Sequence, residues 1–164
     1  SPESTAEQAL DSLGWLVGEW VEQSERPLAC RIEVVSGGKF LRRTFTEERD
    51  GESEEVGYEM IGYDPTLNLV RSWTFFADGS FGSATWHGGD DHWRVKASQT
   101  LADGSRAIGT YVVTPVDEDT LAVKLISREV DGQAMPSGKV VSFIRVHDDA
   151  PPQAEAVPTT EATE

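Results

Sequence analysis

The chain has 164 residues, and its 29 acidic and 14 basic side chains give a formal net charge of -15 at pH 7. This acidity disfavours binding to nucleic acid or to an anionic membrane surface, because both are themselves negatively charged. The apolar fraction of 38% is typical of a soluble globular protein, and the length fits one domain with a substantial core. No apolar run is long enough to predict a membrane span. The single cysteine, Cys30, excludes an internal disulfide and is expected to be a small buried apolar side chain.

The N-terminal residues predict one short helix over 5–13, with Thr5 as N-cap and Gln8 three residues later. After it, strand-like runs follow one another with turn signals between them and no further helical period. They cover 15–23, 28–36, 39–48 and 55–63, three strands within 69–95, and then 106–114, 120–129 and 139–146. About ten strands in consecutive order predict an all-β fold, a closed antiparallel up-and-down barrel with a short N-terminal helix.

The three strands within 69–95 are the part of the chain whose register can be predicted. Asp78-Gly79 is a strong hairpin signal, and a two-residue type I′ loop centred there sets the pairing of its two strands. The pairs predicted on the interior face are Arg71 with Trp86, Trp73 with Ala84, and Phe75 with Gly82. Large residues then alternate with small ones, which is typical of a small barrel interior.

Two further turns extend this predicted interior face. A turn centred on Gly89-Asp90 places Trp93 opposite Trp86, and a turn on Asp103-Gly104 brings Thr110 opposite Ala97. The interior face also includes Gln99 and, across the following turn, three apolar residues. These three are Leu121, Val123 and Leu125.

A candidate ligand site follows from this register. Its predicted members are Arg43, Arg71, Trp73, Trp86, Trp93, Gln99 and Thr110. A buried guanidinium needs a partner, and no acidic residue falls on the face to which Arg71 is assigned. The expected ligand is therefore a small apolar molecule with a carboxylate held near Arg71, with Arg43 as second contact.

Catalytic and metal motifs are not found in the sequence: it has no G-x-S-x-G, no phosphate loop, no HExxH and no cysteine-based zinc pattern. No catalytic residue, metal or cofactor is therefore predicted, and whether the chain is an enzyme stays open. His87 and His92 face each other across a turn and are expected to be a solvated pair outside the barrel. His147 ends the last strand, and its inward orientation is the alternative that would make it a ligand.

The last seventeen residues, 148–164, form a separate compositional unit. Their sequence is DDAPPQAEAVPTTEATE, with five acidic and no basic side chains. Such a segment buries too little apolar surface to offset the entropy of ordering. The expected organisation is a barrel domain at 1–147 followed by a disordered acidic tail.

Several segments together resemble an uncharacterised bacterial family of lipocalin-like (calycin-like) domains. They are LGWLVGEW, IGYDP, VRSWTFFADGSFGSATW, HWRVKASQTLADGSRA, YVVTPVDEDTL and SREVDGQ. In lipocalin-like barrels the tryptophan of the G-x-W at Gly18-Glu19-Trp20 closes one end, and Arg145 is expected to pack over it. Members of this family often follow a SnoaL-like domain in exported proteins. The resemblance therefore implies a neighbouring SnoaL-like partner and export as part of a longer chain, but no known activity.

A more distant resemblance in shape is to the nitrobindin family, whose ten-stranded barrels hold haem through a histidine near the C-terminus. His147 matches that position, whereas the glycine-rich start G-x-W-x-G-x-G is not met after Trp20. Three hypotheses follow. The first is a small-molecule-binding or accessory module, the second a haem-binding isomerase, and the third a structural interaction domain.

Overall fold

The structure is a computed structural model that describes residues 2–147, with side chains described from residue 6 onward. It begins with one helix, α1 (Pro2–Asp11), followed by a single 3-10 turn at Gly14–Leu16. The helix begins at Pro2 rather than at Thr5, because proline suits the first helical position, where its missing N–H is not needed. The predicted acidic tail at 148–164 lies outside the described residues, so the predicted domain boundary stays a prediction.

Eleven antiparallel strands form one sheet in the described residues. They are β1 (Gly18–Glu22), β2 (Leu28–Val35), β3 (Phe40–Arg49), β4 (Glu52–Asp64), β5 (Leu69–Phe76), β6 (Phe81–Gly88), β7 (Trp93–Thr100), β8 (Arg106–Asp117), β9 (Thr120–Val130), β10 (Gln133–Met135) and β11 (Val141–Val146). Neighbours pair in chain order from β1 to β9, and β11 pairs with both β9 and β1 to close the ring. The short β10 adds only to the edge of β9. This closed ten-stranded barrel confirms the predicted fold class and is consistent with a lipocalin-like fold.

One end of the barrel is closed by the N-terminal residues. Leu10, Leu13 and Leu16 are buried, and α1 packs against β4 and β5 at this end. Trp20, in the middle of β1, is 1% exposed beneath them. The core therefore extends from this helical cover into the barrel interior.

The first central hairpin, β5–β6, differs from the predicted register by one residue. Trp73 pairs with Ser83 and Phe75 with Phe81. Its loop has three residues, closed by the Phe76 N–H donating to the Ser80 carbonyl at 2.9 Å, and only Gly79 among the three has a positive φ. A type I′ loop would need two such residues. The prediction that Arg71, Trp73 and Phe75 face the interior is therefore wrong.

The register of β6–β7 differs from the prediction by two residues, which preserves the predicted faces. Trp86 pairs with Val95 across a longer loop, so Trp86, Val95 and Ala97 all point inward. The register of β7–β8 again differs from the prediction by one residue: Lys96, not Ala97, pairs with Thr110. Thr110 therefore faces outward, contrary to the prediction, and Tyr111 faces inward. Leu121 and Val123 on β9 point inward as predicted.

Candidate ligand-binding cavity

The barrel encloses a cavity of ≈ 270 Å³. Such a volume lies just below the usual range of small-molecule sites, about 300–1,000 Å³. Most of its wall is apolar. The apolar lining consists of Leu16, Trp20, Leu28, Ile32, Phe45, Phe76, Ala84, Trp86, Val95, Ala97, Val113, Leu121, Val123 and Phe143.

The two tryptophans that line the cavity present ring carbons to it, because their N–H groups are already bonded elsewhere. Trp20 Nε1 donates to the carbonyl of Leu16 at 2.8 Å, and Trp86 Nε1 donates to Ser72 Oγ at 3.0 Å. A buried indole usually finds such a partner. Neither indole is therefore free to donate to a ligand.

One ion pair is set into this apolar wall. Arg43 on β3 pairs across the strands with Glu59 on β4, and Nη2 lies 2.6 Å from Oε1. Both point inward because each lies two residues from a buried neighbour on its own strand and so shares that neighbour's face. Arg43 lies between Leu41 and Phe45, and Glu59 precedes Ile61 by two residues. The Glu59 side chain is 5% exposed and that of Arg43 is 28% exposed. The arginine also stacks on the Phe45 ring, with Cζ 4.9 Å from its centroid.

The protein does not fully satisfy the hydrogen-bonding capacity of this pair. Arg43 Nε is buried and has no hydrogen-bond partner among the described residues. Glu59 Oε1 accepts no aligned hydrogen bond there beyond its ionic contact with Arg43. Leaving a buried donor unpaired costs about 1–3 kcal/mol, and more where the group is charged. The pair is thus an incompletely satisfied polar spot in an otherwise apolar cavity.

Two weakly acidic side chains, Cys30 and Tyr111, also line the cavity near this pair. Burial raises the pKa of the Cys30 thiol, while Arg43 lowers this pKa and Glu59 raises it. Burial likewise raises the pKa of Tyr111, with Arg43 again opposing the rise. Both groups are therefore neutral at pH 7. Arg43 and Glu59 are the only charged side chains among the described residues that line the cavity, so its formal charge is zero.

The residues predicted for the ligand site are only partly brought together. Arg43, Trp86 and Gln99 line the cavity. Trp93 faces inward but packs edge-on against Trp86, with ring centroids 6.2 Å apart, and is not part of the lining. Thr110 lies on the outer face opposite Lys96.

Arg71 and Trp73 lie together on the outer surface of the barrel, not in its interior. Arg71 Nη1 is 3.4 Å from Asp64 Oδ2, and its Cζ lies 5.3 Å from the centroid of the Trp73 ring. The guanidinium therefore already has a carboxylate and an aromatic face as partners. The expectation of an anionic ligand at Arg71 assumed a buried guanidinium without an acidic partner. Arg71 is neither inside the barrel nor without such a partner, so that expectation no longer has a basis.

Arg145 and Trp20, the residues predicted to close the barrel, meet at the helical end. The Arg145 Cζ lies 4.3 Å from the centroid of the Trp20 ring. Nη1 and Nη2 donate to the carbonyls of Val17 and Trp15 at 2.7 and 2.6 Å. This arrangement positions the floor of the cavity, since Trp20 is part of its lining.

The histidines lie outside the cavity. His147 Nε2 is 2.9 Å from Asp119 Oδ1, with the side chains of both residues about half exposed. His87 bonds to Thr85 Oγ1, and His92 Nδ1 bonds to Asp91 Oδ1. Within residues 2–147 no group of three metal-ligating side chains is found, and the cavity lining includes no histidine. The haem alternative stays an untested hypothesis that the position of His147 does not favour.

Sequence reasoning missed Glu59, the most deeply buried charged residue of the site. A signal was available: Glu59 lies between the inward-facing Gly57 and Ile61, just as Arg43 lies between Leu41 and Phe45. A charged residue on the apolar face of each of two neighbouring strands predicts a buried pair.

Comparison with models of known protein families finds no match for this chain, and a search of the curated proteins finds no relative. No helix within residues 2–147 combines the length and apolarity needed to cross a bilayer.

Proposed function

We propose that this chain is a lipocalin-like module that binds a small, mainly apolar molecule inside its barrel. The observation that supports the proposal is the cavity of ≈ 270 Å³, closed at one end by α1 and walled mainly by apolar side chains. Barrel interiors of this kind are recurrent ligand sites. The finer hypothesis, a domain of the bacterial lipocalin-like family that follows a SnoaL-like domain in an exported protein, belongs to the same proposal and rests on the sequence motifs alone.

Uptake of a neutral fluorescent probe tests the proposal. N-phenyl-1-naphthylamine is apolar and emits strongly only in apolar surroundings. The wild-type protein is expected to bind it saturably. Substitution Ala97→Phe fills the cavity from β7, where Ala97 is part of the lining, and should weaken this uptake at least about tenfold.

A matched control is available on the neighbouring strand. Thr110→Phe places the same ring on the outer face of β8, where it should leave probe uptake unchanged. Circular dichroism should show an intact sheet in both variants. Absence of saturable uptake by the wild type, or equal uptake by Ala97→Phe, would overturn the binding proposal in favour of a structural interaction domain.

A further inference from the structure

We infer that the cavity selects a neutral ligand with an apolar body and one oxygen acceptor, a ketone or alcohol, placed against the Arg43 guanidinium beside Glu59. This inference rests on the proposed function, because it names the class of molecule that the same cavity takes. It also reverses the expectation of a carboxylate-bearing ligand, which depended on an inward-facing Arg71.

The charge balance of the cavity disfavours an anionic ligand. Arg43 is the only cation among the described lining residues, and Glu59 already neutralises it at 2.6 Å. A ligand carboxylate would therefore enter as a second anion beside the Glu59 carboxylate. In apolar surroundings like-charge repulsion is strong, and the ligand would also lose its hydration.

The hydrogen-bonding balance favours an acceptor. Arg43 Nε is a buried donor without a partner among the described residues, although the rest of the guanidinium contacts Glu59 and the Phe45 ring. Nε itself has almost no accessible surface, so the groups that a ligand could reach are the other N–H groups of the guanidinium, whose side chain is 28% exposed and lines the cavity. A carbonyl or hydroxyl oxygen would accept from one of these groups without adding charge. The same position offers nothing to a pure hydrocarbon, which would leave the donor unpaired.

A matched pair of octyl compounds tests this inference in the wild-type protein. Octan-2-one and octanoate have similar size, but only octanoate is charged at about pH 7. Each is titrated against bound N-phenyl-1-naphthylamine. The ketone is expected to displace the probe at concentrations at least about tenfold lower than octanoate. Equal or better displacement by octanoate overturns the inference, and so does failure of octan-2-one to displace the bound probe.

Substitution Glu59→Gln then tests whether Glu59 sets the selectivity. It leaves Arg43 as an uncompensated cation, so octanoate should gain at least about tenfold relative to octan-2-one. The control is Asp64→Asn, which removes the carboxylate from the outward pair with Arg71 and should leave the ratio unchanged. An unchanged ratio in Glu59→Gln, or an equal change in both variants, contradicts the inference.

Removal of one partner of a buried ion pair can prevent folding, so a second variant replaces both. Arg43→Met combined with Glu59→Leu makes the site apolar, and such replacements are often tolerated. This double variant should still bind N-phenyl-1-naphthylamine but should lose about tenfold in affinity for octan-2-one. Unchanged affinity for the ketone would show that Arg43 does not hold its oxygen. Lack of probe uptake by the wild type would instead refute the proposed function itself.

Discussion

Arg145 lies over Trp20, with its Cζ 4.3 Å from the ring centroid, and donates to the carbonyls of Trp15 and Val17. These two carbonyls belong to the connection between α1 and β1, so one side chain from the last strand ties down the chain that closes the barrel. The Trp20 indole beneath it is 1% exposed and forms the floor of the cavity. Closure of the barrel and the shape of its interior therefore depend on the same contact.

The first prediction concerns the stability that Arg145 contributes. Arg145→Met keeps much of the apolar stem but leaves the two carbonyls without their donor, so the free energy of unfolding should fall by about 2–4 kcal/mol. Arg31→Met is the control, because among the described residues Arg31 makes only an exposed ion pair with Glu19 and its loss should change stability by less than about 1 kcal/mol. Urea denaturation followed by circular dichroism measures both. Similar losses in the two variants would contradict the structural role.

The second prediction separates the two faces of the first central hairpin. Trp86 is 3% exposed and packs on Trp93, so Trp86→Ala should cost about 3–5 kcal/mol of the free energy of unfolding. Trp73 lies partly buried on the outer face, where Trp73→Ala should cost about 1 kcal/mol. Chemical denaturation of the two variants decides the register. Equal large losses would restore the interior position that the sequence predicted for Trp73.

The closed barrel could be predicted from the rhythm of strands and turns, but the faces of β5 and β8 could not be predicted from an assumed loop length. The same four residues, ADGS, occur at 77–80 and at 102–105, and both loops hold three residues rather than two. In each, the aspartate Oδ1 accepts from the serine N–H, at 2.8 Å for Asp78 and 2.9 Å for Asp103. Since faces alternate residue by residue, one added residue exchanged the predicted interior and exterior of the adjoining strand.

The sequence predicted a member of the candidate site only where the alternation of apolar residues along a single strand was enough to assign that residue to the interior. Arg43 was assigned to the interior and does line the cavity. Its partner Glu59 lies on β4, whose pairing with β3 includes a shift in register after Phe45 that turn signals do not reveal. The charge balance around a buried arginine, and hence the ligand it favours, can be inferred only when its partner residue is known. The carboxylate-bearing ligand inferred from the sequence therefore depended on Arg71, which lies on the outer face beside Asp64.

The third prediction concerns the aspartate that caps the first ADGS loop. Hydrogen bonds from the Ser80 hydroxyl and N–H lower the pKa of Asp78 below its ordinary value of 3.8. A lowered pKa in the folded state stabilises the protein above pH 3.8, and this stabilisation is lost as the pH falls through the folded-state pKa. Asp78→Asn retains the acceptor but not the charge. Its deficit in the free energy of unfolding, measured in urea, should be present at about pH 6 and should shrink as the pH falls below about 3.8.

The fourth prediction concerns the pH dependence of Cys30. Burial raises the pKa of this thiol above its ordinary value of 9.0, so the folded protein prefers the neutral form. The resulting stabilisation is complete below pH 9.0 and is lost as the pH rises from there through the folded-state pKa. Cys30→Ala should therefore show a shallower loss of stability with rising alkaline pH than the wild type. Parallel curves would mean that the thiol titrates alike in the folded and unfolded states.

The reactivity of the same thiol reports on its neighbours in the cavity. Glu59 raises the Cys30 pKa and Arg43 lowers it, so Glu59→Gln should increase the rate of alkylation by iodoacetamide at about pH 8. Arg43→Met should decrease this rate, because the thiolate then loses its nearby cation. Opposite changes are the diagnostic result, since general loosening of the barrel would expose the thiol and accelerate both variants. The chain has a single cysteine, so mass spectrometry of the intact protein follows the reaction at this one site.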